Sequence, residues 1–272
     1  MARPGHLRHR GALLKAGIFL DVENLVRNGG WGMRYRTVRE LVEAQGSTVI
    51  RANAYTTVDY EREAAEEEFR RKKRSYRAAI RREGYRLVSK RVQRYRDVEG
   101  ETITKADVDL DLAVDTLLQS ENLDHILLGS GDGDFLRLVR ALQNRGKRVD
   151  LLSFANTSSA LREEVDFHFN GFLYPGILPA DADEPDRRRG YMHHVVEEKG
   201  YGFLTIQTGL GFDDVRDDVF LHINDFAGEN GHAVSNDRFA RLRDRRTLTE
   251  FDLVRLDEGK VKAENAREFQ AG

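Results

Sequence analysis

No cysteine occurs in the 272 residues. This excludes disulfides, cysteine-ligated zinc and thiol catalysis, so any metal must be held by oxygen or imidazole. Proline is almost as scarce. Three of the four prolines stand at Pro175, Pro179 and Pro185, and so tight a grouping of a breaker residue marks a boundary. An excess of one charge is missing too: 44 Lys and Arg against 46 Asp and Glu leave −2, so only the distribution of charge can select a partner. Long apolar runs are absent. The run at 16–20 stops at Asp21 and reads as a core strand, too short for a membrane span. Residues 1–15 are basic without the apolar stretch of a secretory signal and read as a flexible arm. No membrane association is expected, and a cytoplasmic location follows by default.

Short apolar runs alternate with amphipathic stretches. Strands are predicted at 17–20, 48–55, 85–92, 125–128, 147–154 and 167–173. Helices are predicted at 36–44, 61–83, 108–119, 135–144 and 158–165. In 61–83 the stripe Ala65, Phe69, Tyr76 and Ile80 is expected to face the core. In 108–119 the expected stripe is Leu110, Ala113, Val114, Leu117 and Leu118. This alternation argues for an α/β domain over 16–174, a mostly parallel sheet flanked by helices. Residues 175–189 mix proline with acids and then Arg187, Arg188 and Arg189, and read as a linker. Beyond it, 190–268 has short strands and no convincing helix, the pattern of a small all-β barrel.

Ile126-Leu127-Leu128-Gly129-Ser130-Gly131-Asp132-Gly133-Asp134-Phe135 organises the chain. A buried strand gives way to small residues and then to two carboxylates where a helix begins, and ligands of open α/β sheets sit beyond the carboxyl ends of strands. A second run, Ile18-Phe19-Leu20, also ends in a carboxylate, Asp21, with Asn24 three residues on. Asp109 opens another helix. Any one of these acids could be a helix cap. Two strands that both end in Asp, one adding Asp-x-Asp, are not explained by capping alone. Converging carboxylates need a cation, a shared proton or solvent, and a hard divalent ion satisfies several at once.

Three separated stretches, 18–25, Lys105-Ala106-Asp107-Val108-Asp109, and 130–135 with Gly146-Lys147-Arg148-Val149, together resemble the NYN domains, PIN-like and often LabA-like nucleases, over about residues 16–173. The resemblance implies a PIN-like fold and a metal-dependent ribonuclease using Mg²⁺ or Mn²⁺. It assigns Asp21, Asp109, Asp132 and Asp134 as metal-site acids, with Asn24 and Ser130 as polar neighbours. The register near Asp109 leaves open which of Asp107, Asp109 and Asp111 faces the ion; Asp109, with Asp115 six residues on, matches best. Phosphodiester hydrolysis needs an activated water and charge relief at phosphorus, which one or two such ions supply. No histidine falls in these stretches, so the ion rather than a histidine base is expected to activate the water.

Residues 70–96 hold thirteen Lys or Arg and one Glu, with tyrosines between them. Such a belt could be a solvated helix face. Beside a phosphodiesterase site it would grip nucleic acid without sequence preference, through Arg77, Arg81, Arg82, Lys90, Arg91 and Arg94. In the last segment, 198–204 and 218–223 resemble the nucleic-acid-binding strands of a cold-shock OB-fold, with 262–265 as a last strand. On strands, Tyr201 and Phe203 share one face, as do Phe220 and His222. With Lys199, these rings would stack unpaired bases. The tryptophan expected before the first of these strands is replaced by His194, and the chain's single tryptophan, Trp31, lies in the other domain. Chemistry and strand capture are thus expected to occupy modules separable near residue 176. The partner is RNA, single-stranded, with DNA as a second substrate class. The competing reading is an RNA-binding regulatory protein whose NYN domain has little activity. A P-loop enzyme is disfavoured, since 129–133 lacks Gly-Lys-Ser/Thr.

Overall fold

The structure, a computed structural model, describes residues 13–96, 102–105, 108–180, 187–228 and 234–271; for 93–96 and 102–105 it describes backbone alone. Residues 1–12, Asp107 and the linker residues 181–186 fall outside this description.

Six parallel strands form the first sheet. They are β1 (Leu14–Asp21), β2 (Ser47–Val58), β3 (Arg86–Arg91), β6 (His125–Gly129), β7 (Arg148–Ser153) and β8 (Phe167–Asn170), in the order β3-β2-β1-β6-β7-β8. Between β3 and β6 lies a hairpin, β4 (Gln93–Arg96) with β5 (Thr102–Lys105), which sequence patterning did not predict. One face of the sheet is covered by α1 (Val22–Arg27), α2 (Tyr35–Ala44) and α4 (Glu67–Arg82). The other is covered by α5 (Asp109–Gln119), α6 (Leu136–Gln143) and α7 (Ser159–Glu164). Alternation along β1 sends Ile18 and Leu20 into one core and Phe19 into the other. The chain winds outward from β1 in both directions, through β2 to β3 and through β6 to β8. The order therefore reverses between β1 and β6, which is where an open α/β sheet opens a crevice.

Several sequence expectations need correction. The arm at 1–15 gives way to β1 at Leu14. The helix expected over 61–83 breaks at Glu66, in extended backbone, into α3 (Tyr60–Ala65) and α4. Ala65 is exposed and Glu63 buried instead. On α5 the buried positions are Leu112 and Thr116, while Leu110, Val114 and Leu118 are exposed. A helix with apolar residues on two sides satisfies two stripes, and the polar pairings of Asp111 and Asp115 select this one.

The second unit comprises β9 (Arg187–Val196), β10 (Tyr201–Gln207), β11 (Val215–His222), β13 (Leu248–Arg255) and β14 (Val261–Glu268). They pair in the order β11-β10-β9-β13-β14, and β14 closes back on β11 in parallel, giving a closed five-stranded barrel with the short β12 (Phe226–Ala227) beside β14. Against expectation it contains a helix, α8 (Asn236–Asp244), capped by the Ser235 hydroxyl and plugging the barrel with Phe239 and Leu242.

The two units are packed together. Phe212, on the β10–β11 loop, lies 4.3 Å from the Phe167 ring and stacks on Phe169, with the Arg148 guanidinium 4.9 Å away on its face. Ile177 is fully buried and its carbonyl accepts from Arg34 N, so 175–180 is built into the first domain. Arg187–Arg189 belong to β9. The segment expected to be a free linker over 175–189 is therefore structured at both ends.

Candidate active site

Asp21 ends β1 and caps α1, its Oδ1 accepting from Asn24 N at 3.1 Å. Asn24 Oδ1 accepts from Gly131 N at 2.8 Å and so ties the end of β1 to the loop after β6. In that loop the Oγ of Ser130, fully buried, accepts from Asp132 N. Asp132 Oδ1 accepts from Asp134 N and caps a single 3₁₀ turn, Gly133–Phe135. The loop after β7 closes the third side, Ser158 N donating to the Gly131 carbonyl. The crevice predicted from the strand order thus holds Asp21, Asn24, Ser130 and Asp132. The capping reading of these acids and a ligand-binding reading coexist, since a cap uses one carboxylate oxygen and leaves the other.

Asp21 is 5% exposed. Burial pushes its carboxyl up to about 6. The Asn24 N–H opposes this, the Glu23 and Asp132 carboxylates add to it, and Arg27 opposes it last and least. Glu23 was not singled out from sequence. Its Oε1 accepts from Thr56 Oγ1 at 2.8 Å and from the Thr57 N–H and hydroxyl at the end of β2. The signal available was its position two residues past Asp21; its partners lie some thirty residues on.

The remaining acids divide. Asp109 is half-buried at the start of α5. Asp134 is exposed. Asp111 pairs with Lys90 Nζ at 3.1 Å, and Asp115 accepts from the Tyr55 hydroxyl at 2.9 Å. Among the described residues no three Asp, Glu or His side chains gather closely enough to hold an ion unaided. Mg²⁺, however, commonly takes one or two protein carboxylates and completes its octahedron with water and substrate phosphate oxygens. A buried Asp21 beside Asp132 fits that donor set.

The basic belt does not form one surface. Both terminal nitrogens of Arg77 bind Glu63, at 2.7 and 2.8 Å, with each side chain largely buried. This bond holds the Glu63 carboxyl below its usual range. Arg77 is therefore a structural residue, not a nucleic-acid contact. Arg81 and Arg82 are exposed at the end of α4. That helix runs about 24 Å back from the carboxyl ends of the strands, so they stand at the amino end of β3, away from the acids. Lys90 and Arg91 are on the site's side, at the carboxyl end of β3, paired with Asp111 and Glu61. Arg94 lies on β4, where only backbone is described. Arg77→Gln, by leaving Glu63 buried without its partner, should cost about 3 kcal/mol of stability and leave RNA affinity unchanged. Chemical denaturation alongside fluorescence anisotropy checks both halves.

On the barrel, Tyr201, Phe203 and Phe220 lie within 6.0 Å of one another, and His194 stacks on Phe203. Tyr201, Phe203, Phe220 and His222 are half-buried and His194 is exposed, while Gly202, Leu204, Val219 and Leu221 between them are buried. Lys199 is exposed beside them. The pairing of Phe203 with Phe220 and of Tyr201 with His222 across β10 and β11 explains the cluster. It lies at the end of β10 away from the loop that docks on the sheet.

A parallel α/β sheet with acids at its switch point, carrying an appended barrel, is the class that fold and crevice define. The chain belongs to the NYN domain family, which matches residues 15–171, and this places it in the PIN-like nuclease superfamily, whose members generally depend on divalent metals and act on RNA. Among solved structures it is similar to a protein of unknown function from Vibrio parahaemolyticus, at 25% identity over 58% of this chain and 92% of that one, with a TM-score of 0.48. No curated protein matches the chain. Among the described residues no helix is long and apolar enough to cross a membrane.

Proposed function

We propose that this protein is a metal-dependent ribonuclease hydrolysing phosphodiester bonds in single-stranded RNA, with the barrel, read as a cold-shock-like OB-fold, holding the strand. The observation that carries the reading is Asp21: a carboxylate buried at the switch point, raised by that burial and to a lesser degree by Glu23 and Asp132, and tied through Asn24 to the loop bearing Asp132. Such a group is costly to keep unless a cation joins it. A bound Mg²⁺ or Mn²⁺ supplies positive charge at the phosphate and eases ionisation of the attacking water. The chain's own part is positional. Asn24 and Ser130 fix the two acid-bearing strand ends relative to each other, and Glu23 deepens the negative field, so that the reacting atoms meet in one geometry. Asp109 and Asp134, at the starts of their helices, are the further carboxylates that would help hold such an ion. Lys90 and Arg91 lie where a phosphate backbone would leave the crevice.

The barrel reading is supported by its closed pairing and by rings on its second and third strands, the face OB-folds use for oligonucleotides. Phe203→Ala and Phe220→Ala should each weaken binding of an unstructured RNA oligonucleotide by roughly 1–3 kcal/mol, raising KM with little change in kcat. Steady-state kinetics on full-length variants checks this, and unchanged KM in both would remove the barrel from substrate binding.

The second reading, a regulatory RNA-binding protein with little activity, is favoured by the absence of three converging ligands among the described residues and by the commitment of Asp111 and Asp115 elsewhere. Incubation of purified protein with single-stranded RNA or DNA and Mn²⁺, Mg²⁺ or EDTA decides between them. Cleavage abolished by EDTA is expected; tight RNA binding without cleavage under any ion selects the second reading.

A further inference from the structure

Trp31 is the chain's single tryptophan, and it is 72% exposed. A large ring left in water is unusual and points to a contact. It is not loosely held. The loop between α1 and α2 that carries it is pinned by Gly30 N to the Leu25 carbonyl at 2.8 Å, by Met33 N to the Gly30 carbonyl, and by Arg34 N to the Ile177 carbonyl at 2.8 Å. Gly29 has φ +104°, and a Cβ there would meet the Phe172 ring at 2.6 Å, so the turn admits only glycine. One face of the indole stacks on Tyr76 at 6.3 Å with planes 19° apart. The Tyr76 hydroxyl is bonded to that of Tyr35 at 2.8 Å, and Tyr35 packs edge-on to Tyr85. The result is a braced aromatic stack with its outer face open.

Its place in the fold is informative. The loop follows α1, on the carboxyl side of the sheet where Asp21 stands. The Tyr35 and Tyr76 hydroxyls both stand in the field of Glu23, the acid that also acts on Asp21. Three residues on, Arg34 lines a cleft of about 570 Å³ between the two units, which Arg188 and Arg255 also line with exposed side chains. An open ring on a loop that follows α1, with a cation-lined cleft starting three residues on, matches the alternating base and phosphate of a single strand.

We propose that Trp31, backed by Tyr76, is a stacking platform for an unpaired base of the strand whose phosphate lies at the Asp21–Asp132 crevice. The inference rests on the nucleic-acid reading above and adds a site to it. The aromatic face of the barrel then serves bases further along the same strand.

Because no other tryptophan emits, intrinsic fluorescence reports on this site alone. Full-length protein in EDTA, which prevents turnover, is titrated with a fluorescein-labelled 12-nucleotide oligoadenylate, and with the same oligonucleotide carrying abasic spacers. Tryptophan quenching is expected to saturate with the same Kd as dye anisotropy, and the abasic strand should bind more weakly without quenching. Trp31→Ala should weaken binding roughly 5- to 150-fold and raise KM more than it lowers kcat, while Trp31→Phe retains most of the affinity. If the oligonucleotide binds by anisotropy, yet emission is unmoved and Trp31→Ala binds equally well, this inference falls and the nuclease reading stands. If nothing binds, both fall. Emission that shifts with protein concentration alone would assign the ring to contact between copies and overturn the inference.

Discussion

Asp21→Asn should abolish hydrolysis and, in metal-free protein at neutral pH, make the fold more stable. The substitution keeps the cap, since Asn caps a helix as well as Asp and can still accept from Asn24 N. What it removes is a buried charge facing Glu23 and Asp132. Between the ordinary carboxylate value of 3.8 and the value of about 6 held in the fold lies about 3 kcal/mol, an upper bound on the relief. The folded state holds this proton more tightly than the unfolded chain does, so the contribution is fully present below about pH 4 and is lost as pH rises through 6. Metal-free wild-type protein should therefore lose that increment over pH 4–6, and the Asn variant should not. Mn²⁺ should raise the melting temperature of wild type, through binding to the native state alone, and move the variant little. Activity should drop by at least about a hundredfold, because several kcal/mol of charge stabilisation are lost. Calorimetry at pH 5 and 7.5 with and without Mn²⁺, together with a cleavage assay, makes the check. A variant that is destabilised and still active would reduce Asp21 to a helix cap.

Cutting the chain near Gly176 should cost far more than the modular reading of the sequence implies. The barrel covers Phe167 and Phe169 on β8, an edge strand that would otherwise be open to pairing with another chain. A fragment ending at Gly176 should aggregate or melt well below the full protein, so loss of activity in it would say nothing about chemistry. The contact is better probed one ring at a time. Phe212→Ala removes a half-buried ring from two phenylalanines and from the face of Arg148, and should cost about 2–3 kcal/mol. At roughly 2–4 °C per kcal/mol for a chain of this size, the melting temperature should fall by about 5–10 °C in scanning calorimetry. A fragment that melts like the intact protein would overturn this account of the interface.

The elements that announce themselves in the sequence are those whose pattern is local. Ile18-Phe19-Leu20-Asp21 and Ile126-Leu127-Leu128 are legible because a buried parallel strand is apolar throughout, and the alternation at Tyr201 and Phe203 because a barrel strand has one wet face. Asn24 was legible from its place three residues after Asp21, although its bond to Gly131, at the end of the neighbouring strand, lies 107 residues away in sequence. Glu23 was missed because its environment comes from Thr56 and Thr57, which sequence does not place near it. Arg77 was misread because its partner Glu63 sits fourteen residues away across the break at Glu66. Arg81 and Arg82 stand away from the acids, which the sequence did not reveal because charge density does not say at which end of a strand a helix deposits its last turn. The exposed Leu110, Val114 and Leu118 on α5 show the same limit. Apolar spacing identifies a helix, but polar partners on neighbouring strands decide its rotation.

The central seat of β1 has a consequence for how this protein is made. β1 leaves the ribosome before the other strands of its sheet, yet one of its two neighbours, β6, is synthesised more than a hundred residues after it; Lys15 N reaches the Asp124 carboxylate across 109 residues of sequence. The crevice that needs both strand ends cannot exist on a nascent chain until residue 134 has emerged. A partly made chain holds β1 with one flank unpaired and apolar for most of the synthesis of the domain, the interval in which long-range parallel pairings are slow to form and most open to misassembly. Pulse-labelled nascent chains released at successive lengths should acquire protease resistance in a single late step, after β6 and α6 are complete.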